Sequence, residues 1–325
     1  MLRTLPFESS NSLLDVFQII FPIFALLGLG YVVVKFGYLP EATAGVLSNF
    51  AVRLAVPVLL FRAIYQLEFK SAFHFQMLAS FYVAAFFCFA TAIFLARVFW
   101  KRRPGEAVAI GFTAYFSNSV LLGLAITERA YGESVLTPVF GILTLHVPIL
   151  YTVGMISMEL ARRDGKPLGE TILKAFKSIF SSPLMLGIML GAACNVSGIV
   201  IPEIIMTPVN MLADSAITVA IIGIGATLTR YKLNDRIGET AMVTAVSLIL
   251  HPAVALLISH YILDLPKIYV LASVVVAAMP PGVNGYIFAS LYDRAVSVAA
   301  SSLVMASVFS VVTITGWLLI LDHLL

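Results

Sequence analysis

Apolar residues in this chain gather into runs about as long as a lipid bilayer is thick, and that pattern rules out a soluble globular fold. A helical crossing needs about 20 largely apolar residues. Ten runs near that length, cut by charged or Pro/Gly breaks, lie at 13–34, 42–64, 74–98, 105–128, 134–160, 181–199, 206–229, 239–262, 267–292 and 295–321. Composition agrees: 60% of the residues are hydrophobic and 11% charged, where a soluble domain carries about 25% charged. The chain reads as an all-α integral membrane protein of ten transmembrane helices, with the lipid bilayer as its solvent. A net charge of +3, with no basic helix and no zinc-ligand pattern, gives no support to a nucleic-acid partner, and none is expected. Cys88 and Cys194 lie in apolar runs and read as small hydrophobes rather than a disulfide framework. The opening MLRTLPFESSNSLLD has no apolar stretch ending in a small-residue cleavage site, so the first run reads as a true span.

Orientation follows from the cations. With the N-terminus outside, fourteen of the twenty Lys and Arg fall on inner connections, five on outer ones, and Arg53 inside a span. Both termini are therefore expected outside, in a bacterial-type inner (plasma) membrane.

The two halves repeat at a nearly constant offset. At 161 residues Pro22 meets Pro183, Gly30 meets Gly191, Gly37 meets Gly198 and Tyr131 meets Tyr292. At 162, Pro40-Glu41 meets Pro202-Glu203, Pro104 meets Pro266 and Gly154 meets Gly316. The expected organisation is a first five-helix repeat at 1–160 and a second at 181–325, joined by a basic cytoplasmic linker at 161–180 with an interfacial segment. An odd number of spans per half inverts the second against the first, a 5+5 inverted repeat typical of secondary transporters.

Two spans are interrupted. The fourth has a polar centre, Phe116-Ser117-Asn118-Ser119, and the ninth has Met279-Pro280-Pro281-Gly282-Val283-Asn284-Gly285. Proline removes an amide donor and clashes with the preceding turn. At offset 161 Asn118 falls on Met279 and Ser119 on Pro280, so the irregular centres are repeat-equivalent. The broken centres of spans 4 and 9 point to a binding site near mid-bilayer. The opening amides of each second half-helix carry the positive end of the helix dipole and favour an anion. Ser117, Asn118, Ser119 and Asn284 add neutral donors for a carboxylate, around Pro280, Pro281 and Gly282. Proline kinks with polar side chains that bond only backbone are the structural alternative.

Further polar residues lie within spans. His146, twelve residues into the fifth span, is a candidate for the site or for carrying a proton. Arg53 and Asp214, in spans two and seven, are candidates for an ion pair or a coupling role. Gly187, Gly191, Gly223 and Gly225 read as packing notches. His74, His251, His260 and His323 are expected near span ends. No P-loop, HExxH, GxSxG or Cys/His metal constellation occurs, so no enzyme, cofactor or metal is expected.

Ala55–Phe61 (AVPVLLF), Phe116–Leu124 (FSNSVLLGL), Ala277–Asn284 (AAMPPGVN) followed by Tyr292, and Phe176–Pro183 (FKSIFSSP) make the whole chain resemble the auxin efflux carrier family. That family includes the plant PIN carriers and bacterial permeases for dicarboxylates such as malate and malonate. The resemblance implies a five-plus-five inverted repeat with crossed, broken spans four and nine, elevator-type alternating access, and a homodimer. It implies that Asn118 contacts the substrate carboxylate, that Pro280 is the crossover proline, and that His146 stands where PIN carriers have a glutamine. Ser117 stands where they have the span-four proline, and their long cytoplasmic loop is absent; both features place the chain with the compact bacterial members. The expected function is secondary transport of small organic anions, mono- or dicarboxylates or auxin-like acids, coupled to a proton or sodium ion. A sodium-coupled symporter of the bile-acid type, and a ligand-binding sensor without transport, are the competing readings.

Overall fold

The computed structural model of the chain describes residues 13–162, 173, 177, 180–231 and 236–325. Most of the expected linker at 161–180, and all of the segment before residue 13, lie outside the described residues. Among the described residues the chain is helical, with no β-strand longer than a single bridge.

In chain order the helices of eight residues or more among the described residues are α1 (Leu13–Lys35), α2 (Ala42–Tyr65), α3 (Phe75–Val98), α4 (Pro104–Tyr115), α5 (Leu124–Tyr131), α6 (Leu136–Arg162), α7 (Pro183–Val196), α8 (Glu203–Leu228), α9 (Ile237–Ile262), α10 (Lys267–Ala277), α11 (Val283–Tyr292) and α12 (Val296–Leu324). Seven are long and apolar enough to cross a membrane. The remaining expected spans are not single long helices. The fourth and ninth runs are each two half-helices, α4 with α5 and α10 with α11. The sixth is α7, of 14 residues, started by Pro183 and by the Ser182 hydroxyl, which accepts the Met185 N–H at 3.3 Å.

Proline shapes the long helices without breaking them. Pro57 and Pro252 cannot donate to the carbonyl four residues back. Each is preceded by a wider π-helical turn, Ala51–Ala55 in α2 and Val246–Leu250 in α9, which accommodates the missing bond.

Packing sorts the helices into two bundles. In one, α2 packs on α7 and α8, and α1 packs on α8. In the other, α3 lies against α4, α9 and α10; α4 against α6 and α11; and α12 against α9 and α11. The notches expected at glycines are real close approaches. A Cβ on Gly187 would run into the Pro57 carbonyl, and one on Gly225 into the Leu27 carbonyl. Lipid tails offer helices no hydrophobic drive to associate, so such backbone contact supplies the adhesion. Gly187→Leu is expected to lose about 3 kcal/mol, the upper end for overpacking, because backbone rather than a flexible side chain stands in the way. A lowered unfolding midpoint of the purified protein in detergent reads this; an unchanged midpoint contradicts the α2–α7 contact.

One end of the second bundle is tied by charge. The Arg102 guanidinium donates through Nε and Nη2 to the Glu239 carboxylate at the start of α9, the Nη2 bond measuring 2.8 Å. Its Nη1 reaches Glu106 of α4 at 3.3 Å. The hydrogen bond to Glu239 raises the Arg102 pKa above arginine's ordinary value, against the opposing effect of burial. Glu239 is 1% exposed, so this ion pair is the reason a carboxylate can lie there at all.

One expectation fails in this bundle. His251, expected near a span end, sits within α9 with its side chain 0% exposed. Its place midway through the run 239–262 agrees with this depth and not with a span end, since α9 extends in unbroken helix on both sides of it.

Candidate functional site

The two interrupted helices meet at their breaks. α4 ends at Tyr115, and Phe116 (φ −88°, ψ 85°) leaves the helix. Asn118 (φ −77°, ψ 58°) then caps the turn Ser119–Gly123 that leads into α5. On the other side α10 ends at Ala277, and Gly282 (φ −82°, ψ 163°) caps α11. Between these ends the chains run extended and antiparallel. The Asn118 N–H donates to the Pro280 carbonyl at 2.8 Å, and the Gly282 N–H donates to the Phe116 carbonyl at 2.9 Å. Ser117 and Pro281 are thus the opposed pair that exchanges no hydrogen bond of its own. Pro281 has no N–H to give, so this register suits it.

Close approach continues beyond the bridge. A Cβ on Gly282 would stand 3.5 Å from the Asn118 Cα, and one on Gly285 would stand 3.1 Å from the Thr113 Cα. Phe112 and Phe288 stack face to face at 3.8 Å, clamping α4 to α11. The Ser247 hydroxyl of α9 donates to the Met279 carbonyl at 3.4 Å.

The expected site residues separate into distinct roles. The Asn118 backbone is fully engaged, since its carbonyl also accepts the Leu122 and Gly123 amides. Its carboxamide is half-buried and has no partner among the described residues. Ser117 and Ser119 are buried and hydrogen-bond each other at 2.7 Å. Pro280, Pro281 and Gly282 are buried and form the bridge. Asn284, in the first turn of α11, accepts the Tyr151 hydroxyl at 3.1 Å, which leaves its NH₂ group to donate elsewhere. His146 is buried behind the crossing, its ring edge-on to Phe116 at 4.7 Å.

Arg53 and Asp214 do not pair. Asp214 takes its ion pair from Arg62 at 2.6 Å, and Arg62 also approaches the Asn210 carbonyl at 3.5 Å. Arg53 is exposed in the π-helical turn of α2 and makes no ion pair among the described residues. The sequence offers the two as candidates because opposite charges fall inside repeat-equivalent spans, whereas rotation about the helix axes decides which side chains face each other. It also missed Tyr151, although a tyrosine five residues beyond His146 in an apolar span was the available signal.

A hollow of about 10 Å³ lies beside the crossing, lined by Leu60, Val120, Leu143, Val147, Ser182 and Ile188 among others. That is close to the ~10–15 Å³ one water needs. It lies between α2 and α7 of one bundle and the crossing turn and α6 of the other. Among the described residues no cluster of His, Cys, Asp or Glu is suited to a metal ion.

Long apolar helices around two interrupted ones, bridged at their breaks, define the class of helical membrane transporters. Within it, the chain belongs to the Membrane transport protein family, which it matches over residues 15–318. It is 24% identical over 308 residues to a Rhizobium meliloti (strain 1021) protein provisionally named a malonate transporter, covering 94% of this chain and 95% of that one. It is 27% identical over 301 residues to the uncharacterized transporter YfdV of Escherichia coli (strain K12), covering 91% and 95%. It is 20% identical over 369 residues to auxin efflux carrier component 8 of Arabidopsis thaliana, covering 96% and 99%. The protein is a multi-pass membrane transporter and not an enzyme.

Proposed function

We propose that the protein is a secondary carrier that moves a small organic anion, a mono- or dicarboxylate, by alternating access. One observation carries this reading: an unpartnered Asn118 carboxamide beside the bridge of two interrupted helices. Neutral donors and helix N-termini solvate a carboxylate without burying a fixed cation. The names of the malonate-transporter and auxin-carrier relatives agree with an organic acid as cargo. The hollow beside the crossing holds no more than about one water, so an organic acid enters that hollow only if the two bundles part. That need supports a moving-bundle, elevator type of cycle.

A five-plus-five inverted repeat is part of the same reading, with 1–160 and 181–325 as its units. Its support is that repeat-equivalent spans share a bundle: α1 and α2 lie with α7 and α8, while the other pairs lie together. Orientation with both termini outside an inner membrane draws on the cation count and on contacts between connections. Arg230 donates to the Glu41 carbonyl at 3.0 Å, joining two connections assigned inside. The Asn195 amide near the end of α7 donates to the carbonyl of Tyr65, the last residue of α2, at 2.7 Å, joining two span ends assigned outside. A homodimer belongs to the reading as well: Arg53, exposed halfway along α2, is costly against lipid, and a second copy or a water-filled path would relieve it.

The test is a proteoliposome flux screen over mono- and dicarboxylates, malonate first, under imposed proton and sodium gradients. Accumulation driven by a gradient is the expected result. Binding of a carboxylate without flux under any gradient makes the protein a sensor and ends the carrier reading. Accumulation driven by sodium alone favours the bile-acid-type symporter.

A further inference from the structure

Two buried histidines from opposite halves of the chain meet around one aromatic ring. His146 of α6 and His251 of α9 both pack on Phe81 of α3, with ring centroids 5.8 and 5.4 Å away. Their side chains are 1% and 0% exposed, and none of their ring nitrogens completes a well-formed hydrogen bond among the described residues, although the Ser117 backbone approaches His146 and the Phe81 backbone approaches His251. A buried polar group left unpaired costs about 1–3 kcal/mol. A leucine or phenylalanine would fill either place without that cost, so packing alone does not explain two imidazoles at one ring.

The other titratable groups in this shared core are already engaged. Tyr82 of α3 donates to the Ile142 carbonyl at 2.8 Å, Tyr115 of α4 to the Leu150 carbonyl, and Tyr151 of α6 to Asn284 at 3.1 Å. Cys88 of α3 points its sulfur at the Val246 carbonyl, 4.0 Å away. Arg97, Glu106, Glu159, Lys267, His260 and Asp322 lie toward the ends of the surrounding helices. Glu239 is buried but held by Arg102. Among the described residues, then, nothing in this core offers the imidazoles a resident counter-charge. The nearest place for one is the crossing, because His146 also touches Phe116, two residues before Asn118.

We propose that His146 and His251 together hold the one proton that crosses the membrane with the organic anion. An imidazole nitrogen takes a proton from water through its lone pair while the bundles are open to one side, and returns it to water on the other side. Two imidazolium charges flanking one phenyl ring repel strongly at low dielectric, so the pair carries a single proton. An anion at Asn118 supplies the missing counter-charge, and the charged imidazole in turn favours the anion. Each therefore stabilises the other's binding, and neither crosses alone.

This proposal rests on the carrier reading, and the experiment separates the two. Wild-type protein in liposomes holding a pH-sensitive dye, with the membrane potential clamped at zero, is given malonate with and without an inward proton gradient. Expected are malonate uptake, proton movement with it, and about tenfold accumulation per pH unit, the equilibrium value for one coupled proton. His251→Gln is expected to keep the wild-type unfolding midpoint in detergent and to lose that tenfold accumulation. Wild type that moves no malonate removes the carrier reading for this substrate, and the present proposal with it. Wild type that moves malonate without a proton removes the histidine pair alone and needs no variant to fold. A folded His251→Gln protein that still accumulates malonate tenfold overturns the pair as well.

Discussion

Replacing Asn118 by alanine is expected to weaken carboxylate transport by about 10- to 150-fold, the equivalent of one hydrogen bond to a charged group worth about 1.5–3 kcal/mol. The backbone should survive the change. The Asn118 N–H and carbonyl hold Pro280, Leu122 and Gly123 whatever the side chain is, and the carboxamide itself bonds nothing among the described residues. Removing it therefore costs the ligand and not the fold. The loss should appear in the apparent affinity for malonate, or for the best substrate of the flux screen, with the unfolding midpoint unchanged. Ser119→Ala is the contrast: its hydroxyl is engaged with Ser117 at 2.7 Å, so a smaller effect on affinity and a larger one on the crossing turn are expected. Wild-type affinity in Asn118→Ala would remove the centre of the proposed site.

Arg102→Ala should produce the largest loss of stability, about 3–5 kcal/mol, because it strands the Glu239 carboxylate in a site that water does not reach. Glu239 is 1% exposed, and the Arg102 guanidinium, itself 15% exposed, is its ion-pair partner. The pair joins the connection before α4 to the first turn of α9, and Arg97 adds a bond to the Arg102 carbonyl at 2.6 Å. Most of the cost lies in the orphaned charge rather than in the lost attraction. Arg102→Met combined with Glu239→Leu should consequently recover much of the stability that either single change loses. Equilibrium unfolding in detergent, read as a double-mutant cycle, decides this. Single and double variants of equal stability would mean that water reaches Glu239 and that the buried pair is not a structural tie.

The half-helices were legible in part. Pro280, Pro281 and Gly282 announce a break, because no helix continues through two residues without amide donors. The break at Ser117 carries no such announcement. It exists because the Asn118 amide donates across the crossing to the Pro280 carbonyl instead of back along its own helix. One interruption is thus written locally, and the other is imposed by its partner.

Sequence alone determined what depends on one segment at a time: the solvent, from apolar runs of bilayer length; the helical state; and the polar centres of spans four and nine. Burial of backbone amides in lipid leaves a chain few options, so these features follow from composition and spacing. Only the tertiary structure decided what depends on how helices rotate and cross. It paired Asp214 with Arg62 rather than Arg53, brought Tyr151 to Asn284, and moved His251 from an expected interface into the core beside Phe81 and, through that ring, His146. A run of apolar residues fixes how deep a side chain lies, but every direction around the helix is apolar too. With no polar face to orient it, a membrane helix has its azimuth set by close packing, at glycines such as Gly187 and Gly225 and by stacked rings such as Phe112 on Phe288.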